Sequence, residues 1–188
     1  IVNDDSDTTA YLGDTVTIAQ AGTVSVKADY TSTAKAEAIG AAVGGFVGAG
    51  AAVAETNITG TNKSYTGSIQ LGQTADKTVG ALSVTATSQA TGIAKAVAGA
   101  AGLGAGAGAN ATAKVEPISE ALIGNNAKIK TSGNVSVSST GQGTADADAL
   151  GISVGALSVG ASIAEAENTP TVTAGIGSGG TLNVGGNL

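Results

Sequence analysis

Apolar and polar side chains alternate one by one along most of this chain. Val24, Val26 and Ala28 alternate with Thr23, Ser25 and Lys27. Leu82, Val84 and Ala86 do so against Ser83 and Thr85, and Val135 and Val137 against Ser136 and Ser138. The pattern persists where the chain is almost all Ala and Gly. Ala34, Ala36 and Ala38 stand against Lys35 and Glu37, and Ala145, Ala147 and Ala149 against Asp146 and Asp148. Ala105, Ala107, Ala109, Ala111, Ala113 and Val115 share one side. A period of two places each set on one face of a pleated strand, and Thr and Val branch at Cβ, which suits strands. The pattern predicts an all-β chain of short strands.

A helical reading competes with this. Ala is the best helix former, and Gly40, Gly44 and Gly48 are spaced like a helix-packing stripe. Three uncharged runs, 38–54, 96–113 and 149–164, invite comparison with membrane spans. They are shorter than the ~20 apolar residues a span needs. Glycine costs a helix interior about 1 kcal/mol relative to Ala, and the charges flanking the runs alternate at strand period. No membrane span is expected.

The alternating segments recur. Ala10-Tyr-Leu-Gly13, leading to Gly22-Thr-Val-Ser-Val-Lys-Ala28, returns as Ile69-Gln-Leu-Gly72 leading to Gly80-Ala-Leu-Ser-Val-Thr-Ala86. It returns again as Ala121-Leu-Ile-Gly124 leading to Gly133-Asn-Val-Ser-Val-Ser-Ser139, and as Ala174-Gly-Ile-Gly177 leading to Gly186-Asn-Leu188. The first glycines of these blocks stand 59, 52 and 53 residues apart. Ile18, Ile129 and Leu182 follow the first glycine by five, where the second copy has Lys77. An Ala/Gly-rich segment follows each block (34–54, 90–113, 145–164). The expected organisation is one repeat array over residues 1–188, with units at 10–68, 69–120, 121–173 and a shortened 174–188. Both ends fall inside a unit, as in a piece of a longer array.

Composition narrows the architecture. The chain has 188 residues, 2% aromatic and 12% charged, with Phe46, Tyr11, Tyr30 and Tyr65 its only aromatics. That is too little bulk for a thick globular core packed at crystalline density. Repeated short strands, glycines at fixed positions and small inward residues predict an elongated parallel β-solenoid, or β-helix, of stacked coils about 4.8 Å apart. A unit of this length is expected to hold two or three coils. Gly13 and Gly22 are expected at positive-φ corners. Asn57–Tyr65 and Asn168–Thr171 are expected to protrude as loops, with Pro117 and Pro170 at junctions that need no ladder N–H.

The same composition removes chemistry. There is no His, Cys, Met, Trp or Arg, so no disulfide, no catalytic His, no thiolate and no ordinary zinc, iron–sulfur or haem site is expected. A net charge of −6 with eight scattered Lys argues against nucleic acid. Asn3, Asp5, Asp7 and Asp14 fall at oxygen-ligand spacings of a calcium loop, but Thr8 stands where its sharp-turn Gly belongs and no closing Glu follows. Glu165, Glu167 and Asn168 form a second, weaker acidic group. A solvated loop is the better account of both. Gly99–Gly108 lacks the Gly-Lys-Ser/Thr ending of a phosphate loop and reads as close sheet packing. Thr85, Thr87 and Thr91, with Thr171 and Thr173, could form flat ladders for ice or glycan. No catalytic, cofactor-binding or metal residue is assigned, and the chain is not expected to be an enzyme.

The alternation of "IG…A.I…G.VSV.A" blocks with Ala/Gly tracts resembles the repeat regions of filamentous-haemagglutinin-like large bacterial surface adhesins. That resemblance spans essentially all 188 residues. It implies an extracellular β-helical stalk at the bacterial cell surface, secreted, without enzymatic activity, acting in attachment or in cell–cell or matrix association. Its partners would be neighbouring repeats of the same long chain, further copies, or a host or cell-surface glycan or protein. Two other readings stand beside it: a self-assembling β-rich extracellular filament or matrix protein, and an ice- or glycan-binding solenoid.

Overall fold

A computed structural model describes all residues 1–188. It contains strands, turns and bends but no helix, so the helical reading of the Ala/Gly runs is excluded. The strands are β1 (Val2–Asp4), β2 (Thr8–Leu12), β3 (Thr17–Ile18), β4 (Ala21–Val43), β5 (Val47–Ile58), β6 (Thr61–Thr66), β7 (Gln70–Leu71) and β8 (Val79–Ala101). They continue with β9 (Gly104–Val115), β10 (Ile118–Ile123), β11 (Lys128–Thr131), β12 (Val135–Val154), β13 (Leu157–Asn168), β14 (Thr171–Ile176) and β15 (Thr181–Val184). All pairings are parallel, and apart from the single Thr131–Val79 pair each joins a strand to its equivalent in the next unit. One sheet runs β1-β5-β9-β13, a second β2-β6-β10-β14, and a third carries the long strands β4, β8 and β12 with the short β3, β7, β11 and β15.

The register corrects the expected coil count. Val24 pairs with Leu82 and Leu82 with Val135, and Thr61 pairs with Ile118 and Ile118 with Thr171. Paired residues are thus a whole unit apart, so each unit contributes one layer of chain and not two or three. The register also shifts the second repeat. Ala10 pairs with Ser64 and Ser64 with Ala121, so Ser64-Tyr-Thr-Gly67 is the copy of Ala10–Gly13. Ile69-Gln-Leu-Gly72 lies further along, with Leu71 between Ile18 and Ile129. The aliphatic position therefore reads Ile18, Leu71, Ile129, Leu182 without exception. Lys77 belongs to a short insertion between β7 and β8, a turn that the other layers lack.

Two further expectations change. Asn57–Tyr65 does not protrude: it is the end of β5, the turn at Thr59-Gly60 and most of β6. Likewise only Thr169-Pro170 separates β13 from β14. The left-handed corners are not at Gly13 or Gly22 but at Thr15, Gly72, Asp76, Asn126 and Gly179. The block glycines have another cause. A Cβ on Gly80 would lie 2.1 Å from the carbonyl oxygen of Gly22, and one on Gly124 2.5 Å from that of Thr66. A Cβ at Gly13 or Gly22 would meet open space, but in the later copies the preceding layer fills the space a side chain would take.

Each layer has a thick part and a thin part. In the thick part Val24, Leu82, Val84, Val135, Ile69, Leu71, Ile123 and Ile129 form an aliphatic core between the β2-β6-β10-β14 sheet and the third sheet. The second half of each long strand packs instead on β5, β9 or β13 through small residues, chiefly Ala, from Ala36 and Ala52 to Ala111 and Ala113. Tyr30, Ile58 and Val115 mark the neck between the two. In the thin part the two sheets nearly touch: a Cβ on Gly50 would lie 2.1 Å from the Gly99 carbonyl oxygen. The helix-like spacing of Gly40, Gly44 and Gly48 is this contact seen in sequence. The result is a blade of two sheets with a methyl-sized interior.

Candidate functional site

The acidic N-terminal residues are held apart by bonds to backbone and hydroxyl groups. Asp4 accepts from the Ser6 N–H and the Ser32 hydroxyl, and Asp7 accepts from the Thr61 N–H at 2.9 Å. Asp14 accepts from the Ser68 N–H at 2.8 Å and the Ser68 hydroxyl at 3.0 Å. These bonds hold the Asp14 carboxyl below its ordinary range, the Ser68 N–H foremost. Asp4 is lowered likewise, chiefly by the Ser32 hydroxyl. Asn3 sits in β1 beside Asn57, and Asp5 is exposed. No three acidic side chains converge anywhere in the chain. Asp14 instead pins a corner to the next layer, as Asn125 does by accepting from the Ser178 N–H.

The second acidic group is distributed too. Glu167 pairs with Lys114 of the neighbouring layer at 3.3 Å, and this contact raises the Lys114 ammonium above its ordinary range. Asn168 donates to the Gly143 carbonyl at 2.7 Å. Gly99–Gly108 crosses the blade tip from β8 to β9, with no loop that could cradle a phosphate.

Thr85, Thr87 and Thr91 lie on the outer side of β8, but only one column across the layers is all Thr, at Thr33, Thr91 and Thr144. Thr85 lies between Lys27 and Ser138, and Thr87 between Asp29 and Thr140. Thr171 neighbours Ile118, and Thr173 neighbours Glu120. On the β2-β6-β10-β14 sheet Tyr11 stacks on Tyr65 with ring centres 5.4 Å apart. The Lys63 ammonium lies 5.5 Å from the Tyr65 ring centre and 3.2 Å from Glu120.

The largest unexplained surface is the outside of the blade. On β4, Glu37 points to solvent, and so do Ile39, Ala41 and Val43, which share its phase. Ile39 is 84% exposed, Val43 89% and Phe46, in the turn that follows, 81%. The other layers add Leu103, Leu150, Ile152 and Val154, and the opposite face carries Val47, Val53, Leu157, Val159 and Ile163. The blade is thus built inside out, with methyls and glycines within and Ile, Leu, Val and Phe on the surface. Isolated exposed aliphatics need no explanation, but a contiguous set on two faces and their tip exceeds the few hundred Å² usual for a soluble monomer.

Sequence reading treated the Ala/Gly segments as interior filling and passed over these residues. The signal was present: once Lys35 and Glu37 are outward, period two forces Ile39 and Val43 outward with them. No family model matches the chain, and no curated protein or solved structure matches it.

Proposed function

We propose that the stacked layers wind as a parallel β-solenoid, and that the chain is a structural repeat segment of a secreted bacterial surface adhesin acting in attachment or in cell–cell and matrix association. The observation that carries this reading is the register. Equivalent residues pair from layer to layer, and 87 of 114 backbone hydrogen bonds lie within strands. Rigidity then comes from ladders along one axis rather than from a large core. The resemblance of the blocks to filamentous-haemagglutinin-like repeats supports the surface location.

Dimensions refine what such a segment would do. Each layer adds only ~4.8 Å along the axis, while a straight 23-residue strand such as β8 reaches about 75 Å across it. So much chain for so little rise is a poor spacer but a large lateral surface. Contact through the sides of the stack therefore takes precedence over the holding out of a distant tip, which brings the self-assembling matrix reading close to the first. Antibodies against this chain should label intact source cells, and cells lacking the segment should attach or clump less. Labelling only after lysis, or unchanged attachment, would refute the proposal.

A further inference from the structure

We propose that the outer face of the β5-β9-β13 sheet is a self-association surface, on which a second copy of this chain packs sheet against sheet. The inference rests on the structural reading above and names the partner of that lateral surface.

Three features of the face carry it. First, its large residues are Val47, Val53, Leu157, Val159 and Ile163, each between 59% and 76% exposed. The residues alternating with them on the inner side are Ala, Gly and Ser, with Ser162 accepting from the Gly151 N–H across the sheets, so the large outer side chains lie on the face away from the blade's own interior. Second, the face has relief. The pairing sets Val47, Gly104 and Leu157 in one row, Ala49, Gly106 and Val159 in the next, and Val53, Asn110 and Ile163 further down. The β13 side chains form a ridge, and β9 forms a trough floored by Gly104, Gly106 and Gly108. Under a two-fold axis the ridge of each copy enters the trough of the other, the reciprocal arrangement of a symmetric dimer. Third, the area suits a weak, reversible pairing: the overlapping strands β9 and β13 offer on the order of 400 Å² per copy at ordinary strand rise and spacing, or about 800 Å² for the pair, the size of transient encounters, with Val47 and Val53 at its rim. Two sheets so paired would stand ~10 Å apart, the ordinary spacing of stacked sheets.

A lipid surface fits less well. The charges bordering the face are Glu55, Glu165 and Glu167 against Lys114 alone, and anionic membrane surfaces attract basic borders rather than acidic ones.

The test is sedimentation velocity on the 188-residue chain over a concentration series, with small-angle X-ray scattering on the same samples. Wild type should pass from the mass of one chain to that of two, thickening in cross-section without lengthening along the axis. Gly106→Val with Gly108→Val fills the trough. An added Cβ at Gly108 meets nothing within 4 Å, and at Gly106 the nearest atom is the Val159 carbonyl oxygen at 4.0 Å. This variant should fold at least as stably as wild type and bind its copy at least tenfold more weakly. Val159→Lys should also weaken pairing; if it does not fold, the trough-filled variant decides. The proposal is overturned if wild type stays a single chain up to about 1 mM, or if the trough-filled variant pairs as tightly. Growth along the axis would overturn it in favour of pairing between layer edges. Flotation of single chains with phosphatidylcholine vesicles would overturn it in favour of lipid. A single-chain species with a β-sheet spectrum would leave the structural reading intact, whereas a helical or unfolded spectrum would remove both.

Discussion

The closeness of the blade's two sheets makes a sharp prediction about glycines of opposite orientation. Gly50 faces inward on β5, and a Cβ there would sit 2.1 Å from the carbonyl oxygen of Gly99 and 3.0 Å from its carbonyl carbon. Both are backbone atoms, so no side chain can swing aside; the sheets must separate. Separation would strip contact from the neighbouring methyls of Ala52, Ala98 and Ala100, which form the interior there. Overpacking of this kind costs about 1–3 kcal/mol. Gly108, on β9, faces outward with nothing within 4 Å of an added Cβ. There the same substitution restricts the unfolded chain and should stabilise by about 0.4–1 kcal/mol. In a chain of this size 1 kcal/mol moves the thermal midpoint by roughly 2–4 °C. Gly50→Ala should therefore lower the midpoint by several degrees and Gly108→Ala should leave or raise it, in thermal unfolding followed by far-ultraviolet circular dichroism. Equal midpoints for the two variants would mean that the sheets do not approach as described, and the account of the Ala/Gly interior would fail.

Other consequences follow from named contacts. Ile129 is fully buried in the thick part of the layer, so Ile129→Ala should cost about 2–5 kcal/mol, read as a lower midpoint in urea. Thr15 holds a φ of 64°, a conformation that strains a β-branched residue by about 1–2 kcal/mol. Thr15→Gly should relieve it and, after the backbone entropy of glycine, give a net gain of about 0.5–1 kcal/mol; a loss of stability would refute the strain. Asp14 is lowered by the bonds from Ser68. A carboxyl with a folded pKa below its unfolded value adds stability above the unfolded value, near 3.9, and that stability is lost as pH falls through the folded value. Thermal midpoints should be level from about pH 5 to 8 and drop below about pH 4. Asn125 makes the equivalent bond to Ser178 at 2.9 Å, so Asp14→Asn should keep the contact and flatten part of the acid slope. Identical slopes for variant and wild type would exclude Asp14 from that effect.

Much of the fold was legible because a strand has a period of two and writes it into the sequence. Val24, Leu82 and Val135 are inward as their alternation with Ser and Thr required, and so is the series Ala105 to Val115. Pro117 and Pro170 lie at the strand junctions where they were expected. The second repeat copy was misplaced because Ile69-Gln-Leu-Gly72 looks more like Ala10–Gly13 than Ser64-Tyr-Thr-Gly67 does. Only the pairing of Ser64 with Ala10 and Ala121 resolves them. The acidic residues looked like ligand spacings because sequence gives distance along the chain, whereas Asp7 and Asp14 spend their oxygens on Thr61 and Ser68 in the next layer.

By itself the sequence determined that this chain is made of strands, that it repeats, and which side of each strand is small. Those properties are local: they follow from one residue's relation to its neighbours two positions away. Tertiary structure decided how many residues make a layer, why glycine recurs at the block boundaries, and how closely the blade's two sheets approach. These depend on which distant backbone occupies the space beside a given Cα. At Gly50 and Gly80 that occupant is another strand's carbonyl oxygen, which no local pattern records.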